Sequence, residues 1–145
     1  MTITIKEGNL DDAIKVDALI PEFENHYNKE SYSKRLDKSK HLILVAFIEN
    51  KLAGYKIGSD RFEDGSFYTW VGGVVPEFRK MKVAKALAEY QENWARNQGF
   101  SSIILKTRNR YKNMLLFAIK NGFQIIDFKL DEKPLDNRII LRKKL

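Results

Sequence analysis

Apolar residues change their spacing several times along the chain, and each change predicts an element. Thr2 to Glu7 alternates apolar and polar positions as a strand does, and Asn9 then offers an N-cap for a helix from about Leu10 to Leu19, closed by Pro21. From Pro21 to Lys40 the spacing is irregular, with a short helix predicted around Ser31 to Leu36. Leu42 to Glu49 is apolar on both faces, as a central strand is, and Asn50-Lys51 turns the chain into a second strand from Leu52 to Ser59. A turn near Asp64-Gly65 leads into Ser66 to Val75, so the three strands read as an antiparallel meander.

Beyond Pro76 the period becomes helical. Val83, Leu87, Tyr90, Gln91 and Trp94 mark the inward face of a helix that stops at Gly99, where glycine supplies a left-handed cap. Ser102 to Thr107 reads as a strand, Tyr111 to Asn121 as a helix capped by Gly122, and Phe123 to Lys129 with Arg138 to Leu141 as the closing strands. Strand, helix and strand from Phe67 to Thr107 form a crossover unit, which requires those two strands to run parallel. The expected class is α/β (α+β): one domain over residues 1–145, a mixed and mostly antiparallel sheet with helices on both faces and one parallel crossover. No repeat or low-complexity linker interrupts it.

Composition narrows the chemistry. A chain of 145 residues is long enough to bury about 68–70% of its unfolded surface without cross-links. Cysteine is absent and there are two histidines, His26 and His41. Disulfides, thiolate zinc sites and a catalytic thiol are therefore excluded, and no multi-histidine metal site can form. No apolar run approaches the roughly 18 residues that span a bilayer, so no membrane partner is expected and the cytoplasm is the expected compartment. The net charge is +7 but uneven: Met1 to Glu30 hold three lysines against seven carboxylates, −4, which leaves +11 for the remainder. A basic body suits an anionic ligand, and it keeps a nucleic-acid-binding module open as an alternative, although zinc-finger spacing and a polybasic tail are both missing.

One segment breaks local rules. Pro76 to Ala84 reads Pro-Glu-Phe-Arg-Lys-Met-Lys-Val-Ala and enters a helix with no Ser, Thr, Asp or Asn near the N-cap. Arg79, Lys80, Lys82 and Lys85 crowd the positive end of the helix dipole, at a cost of roughly 0.3–1 kcal/mol per exposed charge at low salt. Uncapped amides, a positive dipole end and clustered cations together make an anion site, placed after a parallel strand where open sheets hold phosphates.

Val74 to Ala84 resembles the acyl-CoA signature of the GCN5-related N-acetyltransferases (GNAT), a loop of the form Arg/Gln-x-x-Gly-x-Gly/Ala after a strand ending Val-x-Pro. Arg79 and Ala84 match its first and last positions. The order of elements is similar over nearly the whole chain, down to Asn-Gly-Phe at Asn121 to Phe123. The resemblance implies an N-acetyltransferase that uses acetyl-CoA as cosubstrate and acetylates a primary amine of a small molecule or a protein N-terminus, acting as a monomer or homodimer. It implies that Arg79, Lys80, Met81, Lys82, Val83 and Ala84 hold the CoA pyrophosphate, that Gly72, Gly73, Val74 and Val75 pair with the pantetheine arm, and that Asn113 also contacts the cosubstrate. Lys82 stands where the family usually has glycine, so a positive φ there would cost about 1–2 kcal/mol. Ala118 stands where the family often has the tyrosine that protonates the thiolate, which keeps a non-catalytic acyl-CoA sensor open as an alternative.

Transfer from a thioester to an amine needs the amine neutral and the departing thiolate protonated. A lysine-like amine is neutral in only about one molecule per 2,500 at pH 7, a deficit of about 4.6 kcal/mol. Glu22 and Glu24 are the candidate bases, with His26 close behind. Tyr111, seven residues before Ala118, is the candidate acid, on the expectation that both are helical and share a face. Tyr27, Tyr32, Tyr55, Tyr68 and Trp70 are candidate linings of the acceptor cleft and equally expected as core aromatics. Lys106, Arg108, Arg110 and Lys112 alternate as one face of an extended segment, which leaves solvent, RNA and the CoA 3′-phosphate all open as its partner.

Overall fold

The computed structural model of the chain describes residues 2–23 and 28–145. Among the described residues, seven strands and four helices follow one another as β1 (Ile3–Glu7), α1 (Leu10–Ala18), α2 (Lys29–Leu36), β2 (His41–Ile48), β3 (Lys51–Ser59), β4 (Ser66–Val74), α3 (Val83–Asn97), β5 (Ser102–Arg108), α4 (Lys112–Lys120), β6 (Gln124–Lys129) and β7 (Arg138–Lys144). The strands make one sheet in the order β1-β2-β3-β4-β5-β7-β6. All neighbours run antiparallel except β4 and β5, the pair that the crossover through α3 makes parallel.

Local chemistry sets the boundaries. Asn9 and Asn28 cap α1 and α2, each side chain accepting from the backbone N–H three residues on, at 3.0 and 2.8 Å. The Asn28 cap starts α2 two residues before the predicted Ser31. The hairpin between β2 and β3 turns at Glu49-Asn50, not Asn50-Lys51, with φ of 50° and 68°. Two positive φ values in a two-residue loop match the twist of the strands on either side. β7 continues through Arg142, Lys143 and Lys144, three residues past the predicted end, because each of them pairs with β5. A ladder sustained by backbone pairing leaves no apolar signature in a basic run.

The two faces of the sheet are covered differently. On one face lie α1 and α2, where the buried Tyr55 hydroxyl of β3 donates to Asp17 of α1 at 2.7 Å. On the other lies α3, whose Val83 and Leu87 come so close to β3 that a Cβ on Gly54 would sit 3.0 and 3.2 Å from them. Phe67 of β4 packs with Trp94 of α3 and with Phe100, ring centroids 5.2 and 5.1 Å apart. The end of α4 lies on the same side as α3, since Lys143 reaches Glu92 of α3 at 2.6 Å and its stem passes Gly122. The α1–α2 face of β5, β7 and β6 mixes the apolar Ile104 and Ile140 with the basic Lys106, Arg108, Arg138 and Lys129. Among the described residues no helix is long and apolar enough to cross a membrane.

Candidate active site

β4 and β5 pair over four positions only, Ser66–Thr69 against Ser102–Leu105. Beyond Thr69, β4 continues to Val74 and remains paired with β3 on its far side, while β5 continues to Arg108 paired with β7. The parallel strands therefore part into a wedge with a peptide edge along each wall. An unpaired strand edge is a template for any extended chain with amide groups. The β4 ladder skips one residue at Trp70, between the pairs Gly58↔Thr69 and Ile57↔Val71. The bulge thus sits where the strands separate, two residues ahead of Gly72-Gly73.

The loop from β4 to α3 lies at the mouth of this wedge. Pro76–Phe78 forms a 3-10 turn pinned by the buried Phe78, and the chain then passes through Lys80 and Lys82 at φ 64° and 67°. Lys82 is the N-cap of α3 in the left-handed region, and no side chain caps the helix. No acidic residue occupies its first turn. The first intrahelical bond runs from Ala86 N–H to Lys82 O at 3.0 Å, so the amides of Val83, Ala84 and Lys85 precede any i−4 partner in the helix. Lys80, Met81, Lys82 and Ala84 are exposed around them. Lys82 does take a positive φ despite its side chain, and Lys80 adds a second that spacing did not reveal.

Arg79 folds back from this loop. Its Nε donates to Val74 O at 3.3 Å, and its guanidinium forms an ion pair with Glu22, in the segment after α1. A candidate base and a candidate phosphate ligand are thereby in contact, which their separation of 57 residues along the chain did not suggest. Gly73 has a different reason to be glycine than ligand approach alone: a Cβ there would lie 2.5 Å from Ile20 and 3.0 Å from Phe23. Glu24, His26 and Tyr27 lie outside the described residues.

Two expectations need correction, those of Tyr111 and of the basic set, and the aromatics divide between core and cleft. Tyr32 and Tyr55 are wholly buried and belong to the core, while Tyr68 and Trp70 are half-buried. Burial, then neighbouring Tyr32, then the bond to Asp17 push the Tyr55 hydroxyl far above the ordinary phenol range. Tyr111 is not helical; it is the N-cap of α4 at φ −90° and ψ 68°, 55% exposed, so helical spacing does not align it with the wholly buried Ala118. Asn113 is exposed in the first turn of α4, a second helix start with neither a side-chain cap nor an acid. The basic set also divides: Lys106 and Arg108 lie on β5, Arg110 is held by Asp136, and Lys112 opens α4 and donates to Asn109. Periodicity missed Lys56, on β3 directly opposite Gly72 and half-buried. Burial pushes its ammonium down to about 8, against the pull of Glu92.

The sequence model of the Acetyltransferase (GNAT) family matches residues 15–123. Among solved structures, the chain resembles the ribosomal-protein-S18-alanine N-acetyltransferase of Escherichia coli with a TM-score of 0.84 at 14% identity, over 99% of this chain and 94% of that one. A GNAT family acetyltransferase from Elizabethkingia anophelis with acetyl-CoA bound has a TM-score of 0.75 at 17% identity, over 99% and 98% of the two chains. The PaiA N-acetyltransferase of Thermoplasma acidophilum, in complex with coenzyme A, has a TM-score of 0.76 at 20% identity over the whole of both. These likenesses are of fold. No curated protein sequence matches the chain significantly.

Proposed function

Because the chain belongs to the acetyltransferase (GNAT) family, we propose that it transfers the acetyl group of acetyl-CoA to a primary amine of a small molecule or a protein N-terminus. The observation that carries this reading is the uncapped, basic start of α3 at the mouth of the β4–β5 wedge. Residues 1–145 act as one catalytic domain in this proposal.

The amides of Lys82, Val83 and Ala84, with Lys80, Met81 and Arg79 around them, receive the pyrophosphate. The edge of Gly72, Gly73, Val74 and Val75 pairs with the amides of the pantetheine arm, and Asn113 contacts the cosubstrate from α4. Pyrophosphate that draws Arg79 away frees the Glu22 carboxylate, which then accepts the proton of the acceptor ammonium, with Glu24 as the neighbouring alternative. The neutral amine attacks the thioester carbonyl, a C–N bond forms and the C–S bond breaks. Tyr111 gives its phenolic proton to the departing thiolate and regains one from the proton that the acylated nitrogen sheds.

Calorimetric titration with acetyl-CoA and CoA tests the reading, followed by free-thiol detection across a panel of amines. Absence of binding at millimolar concentration sinks it. Ala118, wholly buried where the family often has its acid, favours a sensor as the second reading, which tight CoA binding without transfer or hydrolysis would support.

A further inference from the structure

The side chains of Lys106, Arg108, Arg138 and Lys129 share the sheet face that bears α1 and α2. Arg138 of β7 pairs in register with Arg108 of β5 on one side and with Lys129 of β6 on the other, so three cations stand in a row across three strands. Like charges directly opposite one another destabilise a sheet. Lys106, two residues before Arg108, lies over the rings of Phe62 and Tyr68, 4.9 and 5.7 Å from their centroids. Tyr68 faces away from α3, because its neighbour Phe67 packs against Trp94 of that helix. Arg35 of α2 covers Trp70 at 4.6 Å from the ring centroid. Partial burial, then Lys129, Arg138, Arg61 and Arg35, hold the Lys106 ammonium below the usual lysine range.

Five segments of the chain thus bring cations to one place. Among the described residues, Lys106, Arg35, Arg61, Lys129 and Arg138 form no ion pair. Two carboxylates border the row, Asp136, paired with Arg110, and Asp131, which accepts from the Lys133 N–H, and the cations of the cluster outnumber them. A hollow of about 160 Å³ opens beside the row, lined by Arg108, Lys129, Leu130, Asp131, Asp136 and Arg138. The start of α3 lies on the opposite face, over Gly54. Phosphates held there do not neutralise this cluster.

We infer that the acceptor amine also carries an anionic group, a carboxylate or a phosphate, which Lys106 and Arg138 hold on the α1–α2 face beside the wedge while Tyr68 and Trp70 line its apolar part. The inference rests on the acetyltransferase reading for the word acceptor. An anion in the row relieves the repulsion between opposed cations and leaves the amine free to approach the thioester from the face opposite α3. A nucleic acid also suits cations and aromatics, and Arg142 and Lys144 extend the basic face along β7; a compact anion is favoured because Lys106, Arg108, Arg138 and Lys129 converge on neighbouring positions of three strands beside the half-buried Tyr68 and Trp70.

Matched amine pairs test it: γ-aminobutyrate against n-butylamine, and O-phosphoethanolamine against ethylamine. Binding to CoA-saturated protein is measured by calorimetry, and transfer from acetyl-CoA by thiol release. The anionic member of each pair is expected to bind at least tenfold tighter, the carboxylate and phosphate arms telling which anion is preferred. Lys106→Gln and Arg138→Gln are each expected to remove most of that preference while acetyl-CoA affinity stays within twofold. Equal binding of charged and uncharged members, or a preference that survives both substitutions, overturns the inference. A twelve-nucleotide oligouridine that binds tighter than either anionic amine and is displaced by salt overturns it in favour of RNA. Acetyl-CoA binding without anion preference removes this inference alone. Anion preference without acetyl-CoA binding removes the enzyme reading and leaves the anion site.

Discussion

Lys82 occupies the left-handed region at φ 67°, where a side chain costs about 1–2 kcal/mol relative to glycine. Lys82→Gly separates two readouts: thermal unfolding should show a gain of about 1 kcal/mol, while CoA binding weakens by about 1–3 kcal/mol if the ammonium meets phosphate. A variant that gains stability and also binds CoA more tightly assigns the residue to strain alone. Tyr111→Phe should lower kcat about tenfold or more, since general acids contribute about 10²–10⁴-fold; unaltered kcat and KM leave water as the proton donor. Lys56 is a case of linkage. Its folded pKa, about 8, lies below its unfolded value, so the penalty for burying the ammonium is fully present below pH 8 and is lost as pH rises toward the unfolded value. Stability should therefore climb across that window. Lys56→Met should abolish the climb and stabilise the fold at neutral pH by about 1–3 kcal/mol, a range reduced from the full shift because the side chain is half-buried. Denaturant midpoints measured from pH 7 to 10.5 decide this.

At the scale of elements, the sequence was most legible where one period dominates. The meander and α3 declare themselves through long apolar runs and the Val83–Leu87–Gln91 stripe, and the uncapped start of α3 was visible as a missing residue type. Less legible were features that need two distant segments together. Glu22 meets Arg79 because the end of α1 is packed against the end of β4, and nothing along the chain encodes that distance. The row Arg108–Arg138–Lys129 depends on β7 inserting between β5 and β6, a sheet order that periodicity does not carry. The sequence predicts a helix from about Tyr111, whereas the N-cap geometry of Tyr111 starts α4 one residue later, at Lys112. Gly73 ties α1 to the wedge wall. Gly73→Ala should cost about 1–3 kcal/mol by forcing Ile20 and Phe23 aside, and CoA affinity should fall with it; an alanine variant of unchanged stability would mean that the α1 end yields freely.

The whole molecule is a sheet with a seam. On one side lie β1 to β4 with α1 and α2 against them, on the other β5, β7 and β6, and between them the backbone ladder has four register pairs. Other ties cross it: Ser101 N–H to Gly65 O at 2.8 Å, the Ser101 hydroxyl to the same oxygen at 3.2 Å, the Lys143–Glu92 pair at 2.6 Å, and Lys106 over the rings of Phe62 and Tyr68. The open end has no backbone ladder across it. In the proposed reading, a cosubstrate between the walls would act there as a strut, turning two cantilevers into a closed frame, and its binding energy would become mechanical coherence of the fold. Saturation at a hundred times Kd should raise stability by about 2.7 kcal/mol. Hydrogen exchange should show where that energy is lodged, slowing at Val71 to Val75 and at Lys106 to Arg108 on the two walls and leaving the far ladder of β1 and β2 as it was.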